Sequence, residues 1–452
     1  MSAGAPTAER QLALTVLGRV HAGAYADRAF AGEASRANLT PQVRGQAHRL
    51  IFGVVQRRRT LDWLIDEKVT NPAALEPMVR DVLRIATYEL GWSDSVPTPV
   101  AVDQAVLLAA GLPGDGKRRS ARRGLVNAVA RAIARDIRER LDGLTDATWQ
   151  GAAIQHSTPD WIARRLFETL GHDEATATLA ALNAPAESIV RWNALGGSRI
   201  DFEAALPGGW HRCEAPFDDA YRLNGAFALE DSVIWREGRG MAQSRASMLP
   251  VLAVGALPGE RVLDLCAAPG AKATALAAAV GPYGKVVAVE PHPGRARGLR
   301  VLAERLHTQM EVVEGDGRDV ALPDEQFDAV LVDPPCSGLG VLGSRPDARW
   351  RRQESDLAEL VALQRALLER ALSVVAVGGR VVYSTCTLLA QENEGVVGAV
   401  GAVGAVGAVV DPIDALAPQF AHPHLPGALR TLPGRDGTDG FFVARLRPDT
   451  SR

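Results

Sequence analysis

Cys336 and Cys386 each follow an apolar run that reads as a β-strand, and Asp333 and Lys272 stand at the ends of two such runs. A thiolate is a strong nucleophile, and a nearby ammonium group or helix start favours its formation. One reaction that calls for this set is methylation at C5 of a cytosine. That carbon is a poor nucleophile until a thiolate adds at C6 and makes C5 enamine-like. An acid beside the ring, a part suited to Asp333, could hydrogen-bond N3 and N4 and share the proton as charge moves onto the base. Position in the sequence does not rank the two cysteines, and a cysteine taken at random is more often an inert, buried small hydrophobe. The case lies in the convergence of the four side chains.

A second group of residues has the form of a nucleoside cradle. Asp264-Leu265-Cys266-Ala267-Ala268-Pro269-Gly270-Ala271-Lys272 is a turn of small residues between a strand and a helix, where backbone can approach a ligand closely. Glu290 lies twenty residues beyond Gly270 at the end of the next strand, a separation that suits the two hydroxyls of a ribose. Asp316 follows a third strand and could face an adenine amine. The chain shows no Gly-x-x-x-x-Gly-Lys-Ser phosphate loop, so a nucleoside without phosphates, such as S-adenosylmethionine, fits better than a nucleotide.

Such residues need a scaffold that brings strand ends together. From about Leu249 onward, strands and helices alternate: strands over 261–265, 286–289, 311–313, 327–332 and 380–384, with helices over 274–280, 294–306 and 357–372. This alternation predicts a doubly wound parallel sheet, whose ligands bind beyond the carboxyl ends of the strands. Residues 8 to 144 read instead as successive amphipathic helices, with apolar residues recurring at spacings of three and four. Between them, residues 150 to 235 read as a small α+β connector. The expected fold is multidomain: all-α over 1–145, α+β connector over 146–235, and α/β Rossmann-like over 236–452.

The 452 residues carry a net charge of −3, but 1–150 hold 21 Lys/Arg against 16 Asp/Glu and the remainder 29 against 37, or +5 and −8. A polyanion would have to be held by local basic patches. Candidates are Lys117, Arg118 and Arg119, read as a loop feeding a helix, with Arg57-Arg58-Arg59 and the Arg349-Trp350-Arg351-Arg352 run, which mixes cations with an aromatic face for a stacked base. The opening residues lack the charged and apolar parts of a secretory signal, and the longest uncharged run, 395–410, is too short and too Gly-rich to span a bilayer. A cytoplasmic protein without a membrane segment is expected. The four cysteines are scattered, which argues against a zinc site or a disulfide scaffold. The Gly-Ala-Val triplets over 398–409 read as a helix or loop distorted by repeat expansion.

Cys266 through Lys272, Asp333-Pro334-Pro335-Cys336-Ser337-Gly338 and Ser384-Thr385-Cys386-Thr387 resemble the motifs of the NOL1/NOP2/Sun family of RNA 5-cytosine methyltransferases, as do Arg345-Pro346-Asp347, Trp350 and the terminal 439–446. The helical start resembles a NusB-type RNA-binding domain through Leu61-Asp62-Trp63-Leu64-Ile65 and Gly124-Leu125-Val126-Asn127-Ala128-Val129. The resemblance implies that Cys386 is the nucleophile and that Cys336 assists elimination of the product. It also implies that 266–272, Glu290, Asp316 and Asp333 contact S-adenosylmethionine, that Arg345 joins the RNA contacts, and that the substrate is 16S rRNA or a small-subunit precursor; a monomer is expected. Ala271 replaces a second glycine of the family; at a position of positive φ it would be strained by about 1 kcal/mol. Two other readings stand beside this one. Asp333-Pro334-Pro335 also resembles the motif of amino-group methyltransferases, and the helical domain alone would suit a non-catalytic RNA-binding or ribosome-assembly factor.

Overall fold

The computed structural model describes residues 4–225, 227–323, 326–403 and 407–448. The chain divides into two compact units, residues 1–179 with 345–351, and residues 180–344 with 352–452.

The first unit is helical. Its helices include Ala8–His21, Pro41–Gln56, Arg58–Asp66, Pro77–Trp92, Thr98–Gly111 and Gly116–Asp142. Their starts follow local chemistry: the Thr40 hydroxyl accepts from the Val43 amide ahead of Pro41, and Asp115 accepts from the Arg118 amide at 2.8 Å. The cluster 117–123 therefore lies on the first turns of a helix, not in the loop expected. Leu12, Val16, Ile51, Leu61, Ile65, Leu83, Val129 and Ile133 meet in one core. Helix Trp149–Gln155 belongs here as well, tied by Thr60 donating to the Ile154 carbonyl at 2.5 Å. By sequence pattern these residues fall in the connector expected over 146–235.

The second unit contains two sheets. Strands β1 (Ile189–Trp192), β2 (His211–Arg212), β3 (Ala220–Arg222) and β4 (Gly240–Ala242) pair antiparallel in the order β2-β3-β1-β4. The larger sheet has β5 (Arg261–Asp264), β6 (Lys285–Glu290), β7 (Glu311–Glu314), β8 (Phe327–Val332), β9 (Val375–Thr385), β10 (Ala408–Val410), β11 (Leu429–Thr431) and β12 (Phe441–Pro448). Its order is β10-β12-β9-β8-β5-β6-β7, with β11 pairing to β12. Strands β5 to β9 run parallel as expected, and β8 is buried on both faces. The sheet is nevertheless mixed: β12 lies antiparallel to β9, β10 and β11.

The chain leaves β5 toward β6 and β7, then returns to the other side of β5 with β8. The order thus reverses between β5 and β8, where α/β sheets bind ligands. Part of the triplet run forms the helix Glu394–Val403, and 404–406 lie outside the described residues. Among the described residues, no helix is long and apolar enough to cross a membrane.

Candidate active site

The loop after β5 holds its shape by continuing the sheet's pairing. The Leu265 amide donates to Leu331 and the Ala267 amide to Val289, each at 3.0 Å. Gly270 then caps the helix Ala271–Val280 at φ 115°. That φ calls for glycine; a Cβ there would also sit 2.6 Å from Leu299 Cδ1 and 2.8 Å from Leu302 Cδ2, side-chain tips that would have to move aside. Ala271, by contrast, is the first helical residue and is not among the residues of positive φ, so the strain expected of it does not arise. The Arg191 guanidinium from β1 donates to the Ala271 carbonyl at 2.9 Å. Burial holds that guanidinium down to about 10. The small sheet thereby buttresses the start of this helix.

At the reversal point, Lys272 Nζ lies 2.6 Å from Asp333 Oδ2, and the Ser384 hydroxyl donates to Asp333 Oδ1 at 2.9 Å. Burial alone would lower the Lys272 ammonium, but the adjoining Asp333 carboxylate outweighs it and raises Lys272 above its ordinary value. Lys272 is thus a firm cation, and its ammonium also lies 5.2 Å from the centroid of the Phe441 ring. Asp264, 1% exposed at the end of β5, is a feature the sequence reading passed over. Burial and then the Asp333 charge push its carboxyl up to about 7.

The two candidate thiols are neighbours. Cys336 Sγ and Cys386 Sγ are 3.1 Å apart, Cys336 buried and Cys386 partly open. The hydrogen bond with Cys386, burial and nearby negative charges push the Cys336 thiol well above its usual range. Backbone fixes the pair: the Gly340 amide donates to the Cys386 carbonyl at 2.9 Å, and the Gly440 amide to the Gly340 carbonyl at the same distance. These loops pass so closely that a Cβ on Gly340 would meet the Gly440 oxygen at 2.0 Å.

Glu290 and Asp316 follow at the ends of β6 and β7. Glu290 is buried and accepts from the His292 amide at 2.8 Å. Asp316 is held below its usual range by hydrogen bonds to Arg318, whose guanidinium lies 2.6 Å away. Burial pushes the Cys266 thiol well up, so Cys266 suits a packing role in the loop better than a nucleophilic one. Cys266, Ala267, Ala268, Pro269, Gly270, Ala271, Lys272, Glu290, Asp316 and Asp333 thus line successive strand ends along one edge of the sheet. This edge has the form of a nucleoside site: a close-approach backbone turn, then carboxylates at three further strand ends.

The expected RNA contacts fare differently. Lys117, Arg118 and Arg119 are exposed on the first unit, and Arg345 is exposed. Arg349 is 1% exposed, and its Nη1 donates to the Ser157 carbonyl at 3.0 Å. Burial, and then Arg57, lower its guanidinium to about 9. Trp350 packs on the helical core and its Nε1 donates to Val55 at 2.7 Å. Arg351 donates to the Gly23 and Ala24 carbonyls and lies over the Tyr25 ring. The reading of Arg349, Trp350 and Arg351 as an open RNA surface is therefore corrected: this segment completes the helical unit. The sequence could not reveal this, because a buried arginine and a phosphate-binding one look alike without their surroundings.

Comparison with known proteins agrees with the architecture. A family model described as 16S rRNA methyltransferase RsmB/F matches residues 251–447, and a NusB family model matches 7–135. A probable ribosomal RNA small subunit methyltransferase B of Synechocystis sp. is 32% identical over 97% of this chain and 99% of its own length. The crystal structure of PH0851 covers 97% of this chain and 98% of its own with a TM-score of 0.80 at 23% identity, a likeness of fold. The structure of NSun6 from Pyrococcus horikoshii, solved with SFG, covers 64% of this chain and 98% of its own with a TM-score of 0.57 at 20% identity. With this cradle at the strand ends and a relative that matches 97% of it, the chain belongs to the RsmB/F family of 16S rRNA methyltransferases, S-adenosylmethionine-dependent enzymes, and carries a NusB-family domain at its N-terminal side.

Proposed function

We propose that this rRNA methyltransferase modifies C5 of a cytosine through a covalent adduct between Cys386 and C6 of the base, with 16S rRNA or its precursor as substrate. The observation that carries the reading is the pair of thiols 3.1 Å apart beside the Lys272-Asp333-Ser384 group. Exocyclic amine methylation needs no thiol, and still less two. S-adenosylmethionine, held by 266–272, Glu290, Asp316 and Asp333, supplies an electrophilic methyl group.

Cys386 adds its electron pair to C6, and the C5=C6 pair moves to C5, which becomes the nucleophile. Asp333, fixed by Lys272 and Ser384, accepts from the N4 amine and shares with N3 the proton that Cys386 gives up, which offsets the charge placed on the ring. After C5 carries its new substituent, Cys336, its own proton released to solvent, accepts the C5 proton as a thiolate. The C–H pair then restores C5=C6, and the C6–S pair returns to Cys386 as the shared proton leaves N3. A thiol that holds its proton tightly gives a correspondingly strong base once ionised. The target base must leave its stack to reach these groups. In the first unit, Lys117, Arg118 and Arg119 bind RNA phosphates, and Arg345 adds a further contact.

The test uses methyl-labelled S-adenosylmethionine, unmodified 16S rRNA and the Cys386→Ala and Cys336→Ala variants, with digestion to nucleosides. The proposal predicts label in 5-methylcytidine, none with Cys386→Ala, and a stable RNA adduct with Cys336→Ala. Label on an exocyclic nitrogen would refute it.

A further inference from the structure

The Asp333, Lys272 and cysteine chemistry leaves unexplained a carboxyl group sealed behind it. Glu392 lies in the loop that follows Cys386, and it is 0% exposed. Its Oε1 accepts from the Ser337 amide at 2.8 Å and from Gln364 Nε2 at 2.9 Å; its Oε2 accepts from the Ser337 hydroxyl at 2.5 Å. All three donors are neutral. Burying a carboxylate without a cation is costly unless hydrogen bonds recover the lost hydration. A cost of that kind is most readily borne by a residue with a specific task.

The hydrogen bonds identify the task. Ser337 directly follows Cys336, and its hydroxyl also lies 2.6 Å from Thr387 Oγ1, the residue directly after Cys386. Gln364 reaches from Glu392 to the Pro335 carbonyl at 3.0 Å, on the other side of Cys336. The Glu392 carbonyl accepts from Tyr383 at 2.6 Å, near the end of β9. One side chain thus grips the residue after Cys336, reaches the residue before it through Gln364, and joins the loop after Cys386 through Ser337.

We propose that Glu392 is a positioning residue of the methyl-transfer cycle, clamping the Cys336 loop against the Cys386 loop so that Cys336 is aimed at the adduct for product release. This rests on the reading of Cys386 as nucleophile and Cys336 as release base. The charged and titratable groups around Cys336 are Cys386 from the end of β9, Asp333 on its own loop, Tyr383, Glu392, and Arg352, whose guanidinium donates to the Cys336 carbonyl at 3.1 Å. Among them, Glu392 contributes a negative charge that helps Cys336 keep its proton.

The test compares wild type with Glu392→Gln in the full chain. The glutamine keeps the shape and one acceptor but removes the charge and offers the Ser337 hydroxyl a donor in place of an acceptor. The expected result is unchanged S-adenosylhomocysteine affinity and RNA KM, a kcat lower on the order of 10- to 100-fold, and accumulation of covalent protein–RNA adduct. Iodoacetamide labelling of Cys336, followed by mass spectrometry across pH, shifts to lower pH. Wild-type kcat, adduct level and Cys336 labelling profile would overturn the assignment, as would a loss of activity that comes entirely from lost cofactor binding. If Glu392→Gln does not fold, Ser337→Ala, which cuts the hydroxyl contact but keeps the charge, decides by kcat and adduct level, with the Cys336 labelling profile staying near that of wild type. Because the labelling profile needs no RNA, it separates failure of this proposal from failure of the covalent mechanism, which Cys386→Ala reports.

Discussion

Neutralising Asp264 should make the protein more stable relative to wild type as pH rises. Its carboxyl ends β5 at 1% exposure, and burial and the Asp333 charge push it up to about 7 from 3.8. A group with a raised folded-state value favours folding fully below its unfolded value and loses that contribution as pH climbs through the folded one. The loss therefore falls between about pH 4 and pH 7. A gap of about 3 units at about 1.4 kcal/mol each amounts to roughly 4 kcal/mol. Asp264→Asn does not titrate, and its Oδ1 can still accept from the Cys266 amide as Asp264 does at 3.2 Å. Any fixed penalty of the amide displaces the variant equally at every pH, so the slope carries the information. For a unit of this size the difference corresponds to a Tm gain, variant minus wild type, that grows by roughly 8 °C from pH 4 to pH 8 and is flat above. Differential scanning calorimetry without cofactor reads it directly. A Tm difference constant across that range refutes the reasoning about this carboxyl.

Other consequences follow from the same geometry. Gly270→Ala places a methyl group against Leu299 and Leu302 at a φ alanine rarely adopts, so stability of the second unit should fall by about 2–4 kcal/mol with a matching loss of S-adenosylhomocysteine affinity by calorimetry. Arg349→Ala should destabilise the helical unit by about 3 kcal/mol in urea unfolding while leaving the salt dependence of RNA binding unchanged, because this arginine is sealed from solvent. Replacing Lys117, Arg118 and Arg119 together by alanine should do the reverse: stability within about 1 kcal/mol of wild type, and a slope of log K against log salt reduced by about 2.

Much of the catalytic unit was legible because its signals are local. The apolar runs of β5, β6, β8 and β9, separated by helices, announce a parallel sheet, and small residues at 266–271 announce a close turn. Strand-end position then gathered Lys272, Asp333, Cys336 and Cys386 without any coordinates. Three things were out of reach for physical reasons. The antiparallel course of β12 is set by its pairing with β9, a long-range partner that periodicity does not name. Asp264 and Glu392 are ordinary acids in sequence, and only burial distinguishes them from solvated ones. Arg349, Trp350 and Arg351 carry the composition of an RNA-binding patch, yet they spend their donors on Ser157, Val55, Gly23 and Ala24. Charge and aromaticity state what a side chain can bind, not what already occupies it. Ala271 makes the converse point: its expected strain vanished once Gly270, one residue earlier, proved to take the left-handed conformation.

The measurement closest to the centre of the account is denaturing gel electrophoresis of Cys336→Ala after incubation with S-adenosylmethionine and labelled, unmodified 16S rRNA, beside Cys386→Ala and the double variant. The account predicts a retarded protein–RNA band with Cys336→Ala that disappears when Cys386 is also replaced. A band that persists without Cys386, or normal C5 methylation by Cys386→Ala, would contradict it.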